Sequence, residues 1–124
     1  MYKKSIPIEQ VEPAFKSGPD SSLVEKFREN GWKGVPPIPV IEIPEELRIA
    51  GKRYYHTDGN HRHQSALVAP LPNLECIVYN DQDNLSEVAQ LTGGGSFPVS
   101  SYDNHIYSLK IRFKEYYLNL ERSL

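Results

Sequence analysis

The sequence predicts an α+β domain, a small mixed sheet with helices packed against it and a C-terminal amphipathic helix. Three observations carry that expectation. Short apolar runs of strand character, bounded by proline and glycine, recur over the first two thirds of the chain. Helical stretches with their own start and stop signals lie between them. From Asp103 onward, apolar residues recur at helical spacing to the end.

The chain has 124 residues, the length of one domain that can bury a core without staples. A formal net charge of −2 supplies no global drive toward nucleic acid or an anionic membrane. Cys76 is the single cysteine, which excludes an intrachain disulfide framework, and within "LECIVYN" it reads as a buried structural thiol. No apolar run approaches the ~20 residues of a membrane span. The opening "MYKKSIPIEQ" is too short and polar for a secretory leader, so a cytoplasmic protein with no membrane partner is expected.

Taken in order, "SIPIEQVEP" reads as a first strand with Ile6 and Ile8 alternating, closed by Pro13. "SSLVEKFRENG" reads as a helix. Ser22 and Glu25 have the spacing of a capping box, Leu23, Val24 and Phe27 make the apolar face, and Gly31 stops it. Prolines forbid a helix in "GWKGVPPIPVIEIP", leaving the strand "PVIEI" between Pro39 and Pro44. "EELRIAGK" is a hairpin link to the strand "KRYYHT", "DGN" is a turn, and "HRHQSALVA" is a short helix ended by "PLP". "LECIVYN" alternates, with Leu74, Cys76 and Val78 on one face and Glu75, Ile77 and Tyr79 on the other. "NLSEVAQL" makes one or two helical turns. The core thus spans residues 1–92 and a glycine-rich connector residues 93–102. A helix over 103–124 packs on the same domain through Ile106, Leu109, Phe113, Tyr116, Leu120 and Leu124. A homodimer through this helix is the alternative use of its stripe.

The chemistry concentrates in "YYHTDGNHRHQSALVA", residues 54–69. A strand feeding a glycine turn at a helix N-terminus presents unpaired amides, and the helix dipole is positive there. Gly59 permits positive φ and close approach of a ligand to the backbone, and Asn60 also tolerates the left-handed region. Arg62 offers a planar fork for phosphate oxygens. His61 can donate a hydrogen bond or move a proton near neutral pH. Asp58 can cap the helix, position a hydroxyl or hold a metal bound to phosphate. The candidate phosphate contacts are therefore Gly59, Asn60, His61 and Arg62, with Asp58 and His61 as the acid/base pair.

Each residue also has an ordinary use: Asp58 as a helix cap, Gly59 as a turn residue, Arg62 in a surface ion pair. His63 is expected on the solvent side and His56 as a plain strand residue. The H-x-H spacing of His61 and His63 does not favour a resident metal, because residues i and i+2 of a helix point about 200° apart. Glu25, Glu29 and Asn30, near the end of the first helix, are further candidates for a second acidic group across the cleft.

The stretch "YYHTDGNHRHQSALVA" resembles the signature of the ParB/sulfiredoxin superfamily, a strand followed by D-G-x-H-R and a helix. The preceding "IPIEQVEP", "SLVEKFRENG" and "PPIPVIEI" are similar to the ParB N-terminal layout, so the resemblance covers about residues 5–80. It implies a small α+β domain that binds nucleotide phosphates at this turn. Gly59, His61 and Arg62 match the phosphate-contacting turn, and Asp58 matches the acidic residue of kinase-like members. Sulfiredoxins carry a reactive cysteine just before the His-Arg pair, where this chain has Asn60, so sulfur-transfer chemistry is not implied. Partition proteins continue into a helix-turn-helix domain, whereas a glycine connector and one helix follow here.

The resemblance thus implies a nucleotide ligand (ATP, ADP or CTP, with or without Mg²⁺) and phosphoryl transfer or nucleotide hydrolysis. The alternatives are a ParB-like nuclease or DNA-binding accessory protein, disfavoured by charge, and a binding module without catalysis.

Overall fold

The computed structural model describes residues 1–13, 18–56, 58–93, 99–114 and 118. In chain order the elements are β1 (Tyr2–Pro7), β2 (Val11–Pro13), α1 (Ser21–Asn30), β3 (Ile38–Glu42), β4 (Tyr54–His56), α2 (Asn60–Val68), β5 (Asn73–Tyr79), α3 (Leu85–Leu91) and α4 (Tyr102–Arg112). The strands form one mixed sheet in the order β1-β5-β3-β4-β2. The β1–β5 and β3–β4 pairs are antiparallel, and the β3–β5 and β2–β4 pairs are parallel. The fold is α+β, as the alternation of strand and helix signals predicts.

Helices cover both faces of the sheet. Phe27 of α1 and Ala66 of α2 join Ile6, Val11, Ile38, Val40 and Leu74 in one core. On the opposite face Val88 of α3 and Leu109 of α4 join Ile41, Tyr55, Ile77 and Tyr79 in a second. β5 therefore lies between two apolar layers, and its alternation holds as read: Leu74, Cys76 and Val78 enter the first core, Ile77 and Tyr79 the second. A strand buried on both faces needs apolar residues at odd and even positions alike.

The first strand differs from expectation. β1 begins at Tyr2 and ends at Pro7, and a 3-10 turn over Ile8–Gln10 separates it from β2. Ile8 thus belongs to the turn. β1 and β2 occupy the two edges of the sheet, which in a flat five-stranded sheet lie about 19 Å apart. Four residue steps span at most about 14 Å, so the sheet has to curl, and the turn carries the chain across its closing edge. Ile6 and Val11 consequently share one core.

The start of α1 also differs. Asp20 is its cap, accepting from the amides of Ser22 at 2.9 Å and Leu23 at 3.2 Å, and the Asp20 amide is itself held by Ser65 Oγ at 3.0 Å. No Ser22–Glu25 capping box forms; Glu25 instead receives Arg28 Nη1 at 3.2 Å. Gly31 stops the helix as expected, with φ of 59° and its amide on Phe27 O. In α4, Ile106, Leu109 and Phe113 of the expected stripe pack on the second core. Tyr116, Leu120 and Leu124 lie outside the described residues, as do residues 94–98 of the connector. Arg112 Nε donates to Glu12 Oε1 at 2.9 Å and ties α4 to β2. No helix among the described residues is long and apolar enough to cross a membrane.

The cap assignment is directly testable. Asp20→Ala should lose about 1 kcal/mol in urea unfolding, whereas Ser22→Ala, which supplies no cap, should stay within about 0.5 kcal/mol of the parent.

Candidate functional site

β4 ends at His56 and α2 begins at Asn60, so Asp58 and Gly59 lie in the turn between them. Gly59 caps the helix with φ of 86°, and no side chain takes the capping role. The reading of Asp58 as a helix cap is thereby corrected: its carboxylate turns instead toward Arg62 Nη2, 3.6 Å away and one helical turn on. The first intrahelical bond runs from His63 N to Gly59 O, so the amides of Asn60, His61 and Arg62 have no acceptor within the helix.

Gly59 is required for two reasons. Its φ is strained for any residue with a side chain, and a Cβ there would stand 3.0 Å from both Ile38 Cγ1 and Ile38 Cγ2. The space beside its Cα is filled by Ile38, not left open as a ligand approach. Close packing of α2 on β3 therefore sets the position of the turn.

A cleft of about 330 Å³ opens beside this turn, with Lys26 of α1, Pro36, Asp58, Arg62, Thr92 and Gly93 in its wall. Arg62 shapes it. Its Nη1 donates to Pro36 O at 3.0 Å, Pro37 O at 2.8 Å and Thr92 O at 2.8 Å. Burial works against the Arg62 charge and lowers its pKa, and the Asp58 carboxylate works the other way. Arg62 is thus neither a solvated surface residue nor a free fork. It pins two backbone segments, and its Nη2 edge faces Asp58.

The other site residues are placed differently. His61 is exposed, away from the residues that line the cleft, and its Nδ1 lies 3.0 Å from Gly18 O. A carbonyl only accepts, so Nδ1 carries the proton and Nε2 of the neutral ring is left as the basic atom. Asn60 is 7% exposed, and neither polar atom of its side chain has a hydrogen-bond partner. A buried, unsatisfied amide is costly, and it sits at the first position of α2.

His63 is buried, at 3% exposure, which corrects its expected solvent-side position. It lies on the inner face of α2, where its Nδ1 meets Nε2 of buried His56 at 2.9 Å. His56 is pushed well below the ordinary imidazole range, first by burial and then by His63, His105 and Arg62, with the Asp58 backbone opposing. Across the sheet, burial lowers His105 to about 4. Its Nε2 lies 2.6 Å from the hydroxyl of Tyr79, which donates to Ser100 O. Cys76 is buried and free, and burial, with Glu75 adding to it, pushes its thiol up to about 12. A protonated thiol at neutral pH fits the structural role read from sequence.

The structure thus brings Asp58 and Arg62 together in the cleft, and leaves His61 outside its lining and Asn60 buried. Sequence reasoning missed Lys26, the Thr92–Gly93 wall and the His56–His63 pair. It looked to Glu25, Glu29 and Asn30 for a polar group across the cleft; of these residues none lines it, and α1 contributes Leu23 and Lys26. The proline carbonyls at 36 and 37 and the positive-φ Gly93 gave the available signal, since prolines supply acceptors without donors.

No known protein-family model matches the chain, and no curated protein matches it in sequence. Solved structures do match. One is the C-terminally truncated chromosome-partitioning protein ParB from Caulobacter crescentus complexed with CTP-gamma-S. It aligns with a TM-score of 0.50 at 21% identity, over 78% of this chain and 56% of the ParB chain. This chain therefore spans little more than half of that structure. A sulfiredoxin from Arabidopsis thaliana aligns with a TM-score of 0.44 at 21% identity, over 64% of this chain and 85% of that one. The five-stranded mixed sheet with four α-helices among the described residues is similar in fold to that ParB structure.

Two outcomes follow from the site's packing. Gly59→Ala should destabilise the fold by roughly 1–3 kcal/mol, the cost of a strained backbone position, read as a fall in the urea midpoint. The second concerns pH. His56 and His105 are neutral when folded, and an unfolded histidine gains its proton near pH 6.5. The unfolded state then binds more protons as pH falls. Stability should be full above about pH 6.5 and drain between there and about 4, with His105 alone costing on the order of 3 kcal/mol by the end of that window. Calorimetry from pH 8 to 4 measures it, and a flat profile would contradict buried neutral rings.

Proposed function

We propose, with the ParB/sulfiredoxin-like fold as premise, that the cleft beside α2 binds the phosphate groups of a nucleotide. The observation that carries this reading is that the cations Lys26 of α1 and Arg62, in the first turn of α2, line one cleft beside the start of that helix. Arg62 is balanced in part by Asp58, whereas Lys26 makes no ion pair among the described residues, and a phosphate chain supplies oxygens for both cations.

At about 30 Å³ per water-sized group, 330 Å³ holds about eleven such groups, the size of a phosphate chain. The base then lies at the rim. ATP, ADP and CTP all fit this description. Among the described residues Asp58 is the one carboxylate lining the cleft, which suits a Mg²⁺ held mostly by phosphate oxygens and water. In phosphoryl transfer or nucleotide hydrolysis, Asp58 would orient the attacking hydroxyl or water. His61, exposed and outside the cleft lining, would take a proton only by way of water. Arg62 would offset developing charge through its Nη2 edge. In this reading residues 1–92 carry the ligand site, with Gly93 of the connector completing its wall. A homodimer through the C-terminal helix would use the outward-facing Tyr107 and Ile111, both more than half exposed.

Thermal shift with ATP, ADP and CTP, each with and without Mg²⁺, tests the proposal. Ligand at 100 times its Kd should add about 2.7 kcal/mol, with similar shifts for the three because the phosphates dominate. Lys26→Ala should weaken binding by roughly 1.5–3 kcal/mol, the range for hydrogen bonds to charged groups, without unfolding the chain. Arg62→Ala should lower both affinity and stability, because it also frees three carbonyls, and Arg62→Lys should recover only part. No shift with any nucleotide or with pyrophosphate would overturn the reading. Submicromolar binding of a DNA duplex, with log K against log salt steeper than about −4, would favour nucleic acid instead.

A further inference from the structure

A second and larger cavity, about 370 Å³, opens at the other end of β3, on the side of the sheet covered by α4. The phosphate cleft touches Pro36, before the strand begins, whereas this cavity is bounded by Glu42 and Ile43 at its end. No residue lines both. Its walls include the tyrosines Tyr2, Tyr79 and Tyr102 and the charged side chains Glu42, Glu45 and Arg48.

The wall itself holds two carboxylates, Glu42 and Glu45, and two cations, Arg48 and the Met1 ammonium, and their pairing decides which charge is left over. Arg48 is committed, with Nη2 on Glu42 Oε1 at 2.9 Å and Nε on Ile43 O at 2.9 Å. The Met1 ammonium is likewise matched by Asp83 at 2.8 Å. Glu45 is exposed and makes no ion pair among the described residues. Glu46, Asp81 and Asp103 act on the same space: after burial, the carboxylates of Asp81, Glu46, Asp103 and Glu42 all push the Tyr102 hydroxyl upward, and no cation opposes them. An electronegative cavity with three tyrosines among its lining residues suits a cationic ligand. Aromatic faces attract cations within about 6 Å of the ring centroid, and an unpaired carboxylate adds to the same attraction.

We propose that this cavity binds a small organic ammonium ion, with the rings of Tyr2 and Tyr102 as its walls and Glu45 as its counter-charge. At about 30 Å³ per water-sized group, the volume admits about a dozen non-hydrogen atoms, enough for a quaternary or primary alkylammonium but not for a folded partner. The site is independent of the nucleotide reading, since it shares no residue with the α2 cleft.

The test is a titration of the ¹⁵N-labelled chain with choline, with its neutral isostere 3,3-dimethyl-1-butanol, and with a lysine derivative blocked at both backbone ends. Choline should move the amides of residues 42–48, 78–80 and 102, and the alcohol should move them at least tenfold less well. Equal binding of the lysine derivative would extend the site to a protein side chain, and its failure would restrict the site to free quaternary amines; both keep the ammonium assignment. Glu45→Gln, exposed and structurally silent, should weaken choline about fivefold, Tyr102→Leu similarly, and Tyr102→Phe, which keeps the ring, hardly at all. Glu29→Gln, an exposed carboxylate of α1 that lines neither cavity, serves as the control and should leave choline affinity unchanged. Equal binding of the neutral alcohol, absence of shifts around this cavity, or indifference to Glu45→Gln would each overturn the proposal.

Discussion

One guanidinium organises the end of the sheet where the cleft lies. Arg62 projects from the first turn of α2 and binds three carbonyls, from Pro36, Pro37 and Thr92. Those carbonyls belong to the approach to β3 and to the end of α3, two segments brought to the same place only by the tertiary fold. Without the guanidinium these acceptors would face one another with only cleft water to satisfy them, an arrangement that costs free energy where burial limits that water. The cleft is therefore not a gap between elements but the space left around an arginine that holds its walls.

The same contact explains why some features are legible in sequence and others are not. The D-G-N-H-R turn is readable because its signals are local: a glycine that must take positive φ, and a helix start immediately after it. β5 is readable because burial on both faces writes itself into seven consecutive residues. The partners of Arg62 are unreadable, since they lie 25 to 30 residues away and are backbone atoms, which carry no residue identity. His63 looked solvated because its neighbours His61 and Arg62 are polar. Its burial depends on which face of α2 meets β4, and nine residues with few large apolar side chains do not declare a face. Asp20 displaced Ser22 as the cap because Ser65, 45 residues on, fixes its amide.

The two faces of the sheet divide the chemistry. On the α1/α2 side the polar groups converge on a cleft with two cations and one carboxylate. On the α3/α4 side they surround tyrosine rings with carboxylates. Between them His56 and His105 sit in the apolar layers as neutral rings, and their burial makes the middle of the sheet sensitive to acid, although the surface charge is nearly balanced. Because β3 runs between the two openings, its length sets their separation, and the five residues Ile38–Glu42 amount to about 17 Å.

The curl of the sheet leaves β1 and β2 as its edges, and the composition of those edges bears on solubility. An edge strand offers unpaired backbone groups to any other chain with the same need. β2 is only three residues long and ends on Pro13, too short to template a partner. β1 is longer but carries the consecutive exposed lysines Lys3 and Lys4 and ends on Pro7. A second copy pairing alongside it would have to bring its own lysines into register with these, and charge repulsion would oppose the contact before any ladder formed. The edge needed to hold β5 in place is thus guarded against holding a stranger.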